Sequence, residues 1–216
     1  VTAAIFVLAI SSYYLLKGKD IGFARRSFAI ASSFGLASIL SVIILGDESG
    51  YELGDVQKVK LAAIEAAYET HEAPAPFTIV GLPNEEEETV DYALQIPYAM
   101  GIIATRSLDE EVTGLKDHKI KHRERILSGI KAYAVMDKVR SGEATEREQE
   151  IFQQHKDNLG FAMLLQPFTE DITQPSEEAI AKAVEYSIPA VAPLFWSFRI
   201  MVASGGLMLI LFALAF

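Results

Sequence analysis

The chain has 216 residues, 19 of them basic and 29 acidic, with a formal net charge of −10. So acidic a balance argues against nucleic acid or an anionic lipid surface as the partner, because both need positive charge to meet phosphate. There is no cysteine, which removes disulfides, thiolate metal sites and a cysteine nucleophile together.

Three apolar runs organise the rest. Residues 1–16 and 27–45 carry no charge, and residues 189–216 carry only Arg199. A helix rises 1.5 Å per residue, so about 20 apolar residues cross roughly 30 Å of hydrocarbon. The second and third runs reach that length. The first stops short because the chain begins inside it. Val1 is not an initiator methionine, and the chain reads as an internal piece of a longer protein. No basic stretch precedes the first run and no small-residue cleavage pattern follows it, so it does not read as a signal peptide.

The expected fold is an all-α membrane protein with three transmembrane helices: residues 1–16 (truncated), 27–46 and 189–216. The connection at 17–26 holds Lys17, Lys19, Arg25 and Arg26, the pattern of a cytoplasmic loop. Residues 47–188 then form a large, mainly helical extracytoplasmic loop. Five basic residues and one acidic residue lie outside it, which leaves it 14 basic against 28 acidic groups.

Within the loop, residues 47–114 alternate short helical patterns with turn chemistry at Pro74, Pro76 and Pro83-Asn84, and Glu85, Glu86, Glu87 and Glu88 read as a solvated face. Residues 115–188 read as charged amphipathic helices. Ile126, Ile130, Tyr133 and Met136 recur at helical spacing, with Gly142 as a stop. Thr145 and Glu148 have the spacing of a capping box. Gly160 is the expected end of that helix, and Ser176 the start of another. No internal repeat or disordered linker is evident.

Candidate chemistry begins at Lys60. If a helix spans residues 56–68, Val56, Val59, Ala63, Ile64 and Ala67 form an apolar stripe that contains this lysine. It either snorkels or points at a ligand oxygen. Glu65, about 140° further round, cannot pair with it and reads as a surface acid. Arg199 lies about ten residues into the third run, where an ionisable group needs a partner or water; anchor and ligand contact are both open. Met201 reads first as packing, yet Ser197, Ser204, Gly205 and Met208 share its face. They leave a shallow surface beside a thioether, an accepted axial haem ligand. His118 and His122, spaced i,i+4 among lysines, read as solvated helix residues rather than a metal site.

Seven blocks carry a resemblance: LLKGKD (15–20), ARRSFA (24–29), GDESGY (46–51), GDVQKVKLAAIE (54–65), QIPYA (95–99), GIIATRS (101–107) and FRIMVA (198–203). In this order and on this membrane pattern, the chain resembles subunit I of the cytochrome bd quinol oxidases over essentially its whole length.

The resemblance implies a multi-pass protein of the bacterial cytoplasmic (inner) membrane. In such a protein the loop, on the periplasmic or extracellular side, binds membrane quinol, ubiquinol or menaquinol. It places Lys60 and Glu65 in quinol oxidation, Asp47 at the edge of the site, and Arg199 near quinol and haem. Met201 is implied as an axial ligand of a low-spin haem b, opposite a histidine before Val1. Ligands of the high-spin haem b and haem d, and the second oxidase subunit, would lie outside this piece. The stretch at about 115–186 matches the insertion of the long-loop subtype. A competing reading is a non-catalytic, membrane-anchored extracytoplasmic domain that senses a ligand or binds a partner, with Arg199 and Met201 as anchor and packing.

Overall fold

The computed structural model describes residues 1–73, 75–98, 100 and 111–216; the GIIATRS block lies outside the described residues. Helix α1 (Thr2–Lys17) stops at Gly18, which takes the left-handed conformation, and α2 (Ile21–Val56) follows after a tight turn. The third long apolar helix is α8 (Val191–Ala215). By length and composition α2 and α8 can each cross a bilayer, and α1 is a shorter apolar helix. Ala4 and Leu8 of α1, Ala31 and Ile39 of α2 and Phe212 of α8 share one buried cluster. Gly35 is required there, since a Cβ at that position would lie 2.0 Å from the Phe212 ring.

Helix α2 runs about ten residues past the expected span end at 46. The change from apolar to acidic composition marks a change of surroundings, and the helical backbone continues through it until Gln57 (φ −130°, ψ 57°). A short helix, α3 (Lys58–Glu65), then begins and ends at left-handed Ala66. Ala62 and Ala63 of α3, Tyr68, Leu115, and Val191 and Phe195 of α8 make a second buried cluster. It seats the first part of the loop on the start of α8.

The expectation of an all-α fold is corrected by a two-stranded antiparallel sheet, β1 (Phe77–Asn84) with β2 (Thr89–Ile96). The β-branched and aromatic runs on either side of Asn84 favour strands, but Pro74, Pro76 and Pro83 give the segment the look of irregular turns. Asn84 Oδ1 accepts from the backbone of Glu86 and Glu87 and shapes the turn. The acidic run is also more than a solvated face. Glu85 accepts from Ala192 N at 2.9 Å, an anion at the start of α8, and Glu88 pairs with Lys119 at 2.6 Å.

The second part of the loop is a helical module of α4 (Leu115–Ser141), α5 (Glu146–His155), α6 (Leu159–Ala162) and α7 (Glu177–Tyr186). Its core holds Ile126 of α4, Ala162 of α6 and Ala179, Ile180 and Ala183 of α7. Gly142 ends α4 in the left-handed conformation, Thr145 and Glu148 form a reciprocal capping box, and Ser176 caps α7. Gly160 does not end α5; the helix stops at His155 and Gly160 falls within α6. Where α4 starts, Leu115 N and Lys116 N donate to the carbonyls of Ala67 and Tyr68. Gly114 permits this approach, because a Cβ there would lie 2.3 Å from the Glu69 backbone.

Candidate functional site

Arg199 is the centre of the site. It projects from α8 toward α3 and β1, and each of its five N–H groups donates to protein. Nε reaches Ile79 O at 3.2 Å. Nη1 reaches Ile64 O at 2.8 Å and Phe195 O at 3.2 Å. Nη2 reaches Glu65 Oε2 at 3.0 Å and also Thr78 O. A guanidinium has five such donors, so none is left for a ligand oxygen. Its carbon lies 3.4 Å from the centroid of the Phe195 ring, a cation–π contact within the helix.

Glu65 is therefore no surface acid. Its side chain is 7% exposed and that of Arg199 is 9% exposed, so the two form a buried ion pair. Burial pushes the Glu65 carboxyl above its ordinary value, and the charge and hydrogen bond of Arg199 oppose that rise. Its affinity for a proton is thus set by burial on one side and by one fixed partner on the other. The pairing joins residues 134 apart in the chain. Its sequence signal was the arginine itself, since a cation in an apolar run calls for an anion.

Lys60 is exposed on α3. The stripe expected to enclose it is broken at Gln57, which resets the helical phase and leaves Val56 exposed. The buried face of α3 carries Ala62, Ala63, Ile64 and Glu65. Asp47 is exposed on the outer part of α2. The geometry thus brings Glu65 and Arg199 together and sets Lys60 and Asp47 at exposed positions.

Next to Glu65 lies a cavity of about 250 Å³, lined by Glu65, Tyr68, His71, Thr78 and Gln95 among others. The Tyr68 hydroxyl is buried without a hydrogen-bond partner among the described residues. Burial, with Glu85 and Glu88 nearby, pushes its pKa up to about 12. Sequence reasoning passed over this tyrosine, because an apolar stripe normally accepts one.

Met201 follows Arg199 by two residues, about 200° around the helix, and so projects away from the ion pair. It is 61% exposed, and among the described residues nothing beyond the local helix itself lies within 4 Å of where a Cβ on Gly205 or Gly206 would stand. A protruding thioether beside an open, small-residue surface fits an axial ligand with a flat macrocycle against it.

His118 and His122 are buried, contrary to the expectation of solvated residues; for His122 the cover comes from α6 and the end of α7. His122 Nδ1 is 2.7 Å from Ser187 Oγ, and its ring stands edge-on to Phe161. The Nε2 of His118 has no partner among the described residues. No group of three or more metal-binding side chains occurs among the described residues.

The family model for cytochrome bd terminal oxidase subunit I matches residues 1–216. The chain belongs to the cytochrome bd terminal oxidase subunit I family. It is 41% identical over 215 residues to the cytochrome bd-II ubiquinol oxidase subunit 1 of Escherichia coli, covering 100% of this chain and 42% of that protein. It is 30% identical over 115 residues to the cytochrome bd ubiquinol oxidase subunit 1 of Bacillus subtilis, which covers 53% of this chain and 25% of that one. Among solved structures, the bd oxidase of Geobacillus thermodenitrificans aligns with 99% of this chain and 52% of its own, with a TM-score of 0.48 and 21% identity. The chain thus spans about half or less of the length of these relatives.

Proposed function

We propose that this bd-family chain forms the quinol-oxidising part of a respiratory terminal oxidase, with the acid–base work done at Glu65. The observation that carries the reading is the buried Glu65–Arg199 pair, which joins the loop to α8 two residues from Met201. Oxidation of a quinol to a quinone releases two protons and two electrons. Glu65 accepts a ring hydroxyl proton and passes it to water on the outer side, then repeats this for the second. Burial helps by lifting its pKa toward the working range, where a general base is most effective. Arg199 serves quinol binding from behind, holding the carboxylate in place. Lys60 orients a ring oxygen and Asp47 forms the outer edge of the site.

Met201 would hold a low-spin haem b by its thioether, and that haem, when bound, supplies the one-electron acceptor for each oxidation step. The remaining haems, the oxygen site and the second subunit belong to the rest of the complex. In this reading residues 47–188 face the periplasm or exterior of a bacterial inner membrane, and the substrate is ubiquinol or menaquinol.

The test is a set of single substitutions in the full-length oxidase. Glu65→Ala should mainly lower turnover, because an interaction made chiefly in the transition state appears in kcat. Lys60→Ala should mainly weaken apparent quinol affinity. Lys58→Ala, also on the exposed face of α3, is the control. Equal damage from Lys58→Ala, or none from the other two, would contradict the placement.

A further inference from the structure

The β1–β2 hairpin presents an apolar patch that the described residues leave largely uncovered. Val80 and Leu82 of β1 and Leu94 and Ile96 of β2 are exposed, and Val80 and Leu94 are direct partners in the register. The opposite side is used: Thr78 is buried, and Val90 packs against the cluster of Ala62, Ala63 and Phe195. At the irregularity between these pairs, Tyr92 takes a left-handed conformation (φ 50°) and is 90% exposed. Holding a bulky residue at positive φ is strained, and here the strain sets an aromatic side chain out beside the apolar face.

Two contacts fix the hairpin against α8. At the turn end, Glu85 receives Ala192 N. At the open end, Thr78 and Ile79 accept from Arg199, eight residues or about 12 Å along the helix from Val191. The strand therefore slants down the first two turns of a helix long enough to span a bilayer. Its acidic turn meets the α4 lysines, and its open end lies farther along α8, at the level of Arg199. Trp196, at the same level, is a residue typical of the membrane interface. The edge of β2, unpaired among the described residues, excludes the hydrocarbon centre, where unpaired backbone groups are not tolerated, but it suits the hydrated headgroup boundary.

We propose that this hairpin is a monotopic membrane element. Val80, Leu82, Leu94 and Ile96 lie in the headgroup–acyl boundary of the outer leaflet, and Tyr92 is the interfacial anchor. The depth resembles that of interfacial amphipathic segments, about 5–10 Å. The consequence is that the cavity beside Glu65, on the other face of the hairpin, lies close to the lipid boundary. The inference rests on the reading of α8 as a membrane span.

The test uses the full-length oxidase with its partner subunit in phosphatidylcholine nanodiscs, carrying one nitroxide label at a time. Power-saturation EPR compares collisions with oxygen, which concentrates in lipid, and with a neutral water-soluble nickel chelate. A label at Leu94 should favour oxygen over the chelate by several-fold, and a label at Glu86 in the turn should favour the chelate. A Leu94 label that favours the chelate, or that meets neither because protein covers it, overturns the proposal while leaving α8 as a span. A label at Leu207 in α8 that favours the chelate overturns both. If the Leu94 variant fails to assemble, a label at Val80 on the same face carries the same expectations.

Discussion

Replacing Arg199 with leucine removes five donated hydrogen bonds and the countercharge of a buried carboxylate in one step. Breaking a buried ion pair by deleting one partner costs about 3–5 kcal/mol if the survivor stays charged. Glu65 can escape that cost by binding a proton, so its carboxyl should titrate at higher pH than in the wild type. The sign follows directly: burial raises the pKa, and the opposing influence of Arg199 is gone. Quinol turnover at neutral pH in the full-length oxidase should then fall, toward the limit of about 10²- to 10⁴-fold for complete loss of a general base. The acid limb of the pH–rate profile should move to higher pH, and turnover should recover partly in alkaline buffer. Glu65→Gln should lose turnover by a similar factor and recover at no pH, because an amide cannot take the proton. Steady-state quinol oxidation measured across pH for both variants, with haem spectra as a check on assembly, decides the matter. An Arg199→Leu profile lowered uniformly, with its acid limb unmoved, would refute the reasoning and leave Arg199 a purely structural clamp.

The two buried histidines predict acid sensitivity in the helical module. Burial lowers both pKa values; Lys121 and Lys58 act further on His118 against the opposing Asp117, and His118 and Arg125 on His122. The folded form therefore holds them neutral while the unfolded chain binds protons below about pH 6.5, so stability should decline as pH falls below that value. Hydrogen-exchange protection factors of α4 and α7, taken relative to the intrinsic rate at each pH, should fall between about pH 7.5 and 5.5 in the wild type and much less in His118→Leu. Met201→Leu should preserve packing and assembly yet alter the spectrum or potential of the low-spin haem, whereas Met208→Leu, part of the α1–α2–α8 packing, should leave both unchanged. Gly35→Val should prevent assembly through its clash with Phe212, and Phe212→Ala in the same chain should restore it in part; failure of that rescue would remove the contact as the cause. Single cysteines at Lys19 and Glu86 should be labelled by an impermeant reagent from opposite sides of the membrane.

Features set by local chemistry were legible in the sequence. The apolar runs mark α1, α2 and α8, Gly142 stops α4, and the spacing of Thr145 and Glu148 gives the cap observed on α5. Features set by distant partners were not. The hairpin was hidden by prolines that read as breakers, although Pro83 sits within β1 opposite Val90. Glu65 looked like a surface acid because its partner lies on another helix, and Lys60 looked enclosed because periodicity alone cannot register the kink at Gln57. His118 and His122 looked solvated beside their lysines, yet the i,i+4 spacing sets them on one buried face of α4, with the His122 ring against Phe161 and Ser187.

The central claim is that the buried carboxylate of Glu65 takes the quinol proton. Stopped-flow reduction of the low-spin haem tests it most directly, with quinol and with an artificial donor that reaches the haem without the loop, in wild-type and Glu65→Gln full-length oxidase. The account predicts that haem reduction by quinol slows by at least about 10²-fold while reduction by the artificial donor is unchanged. Equal quinol rates in the two proteins, or equal slowing with both donors, would contradict it.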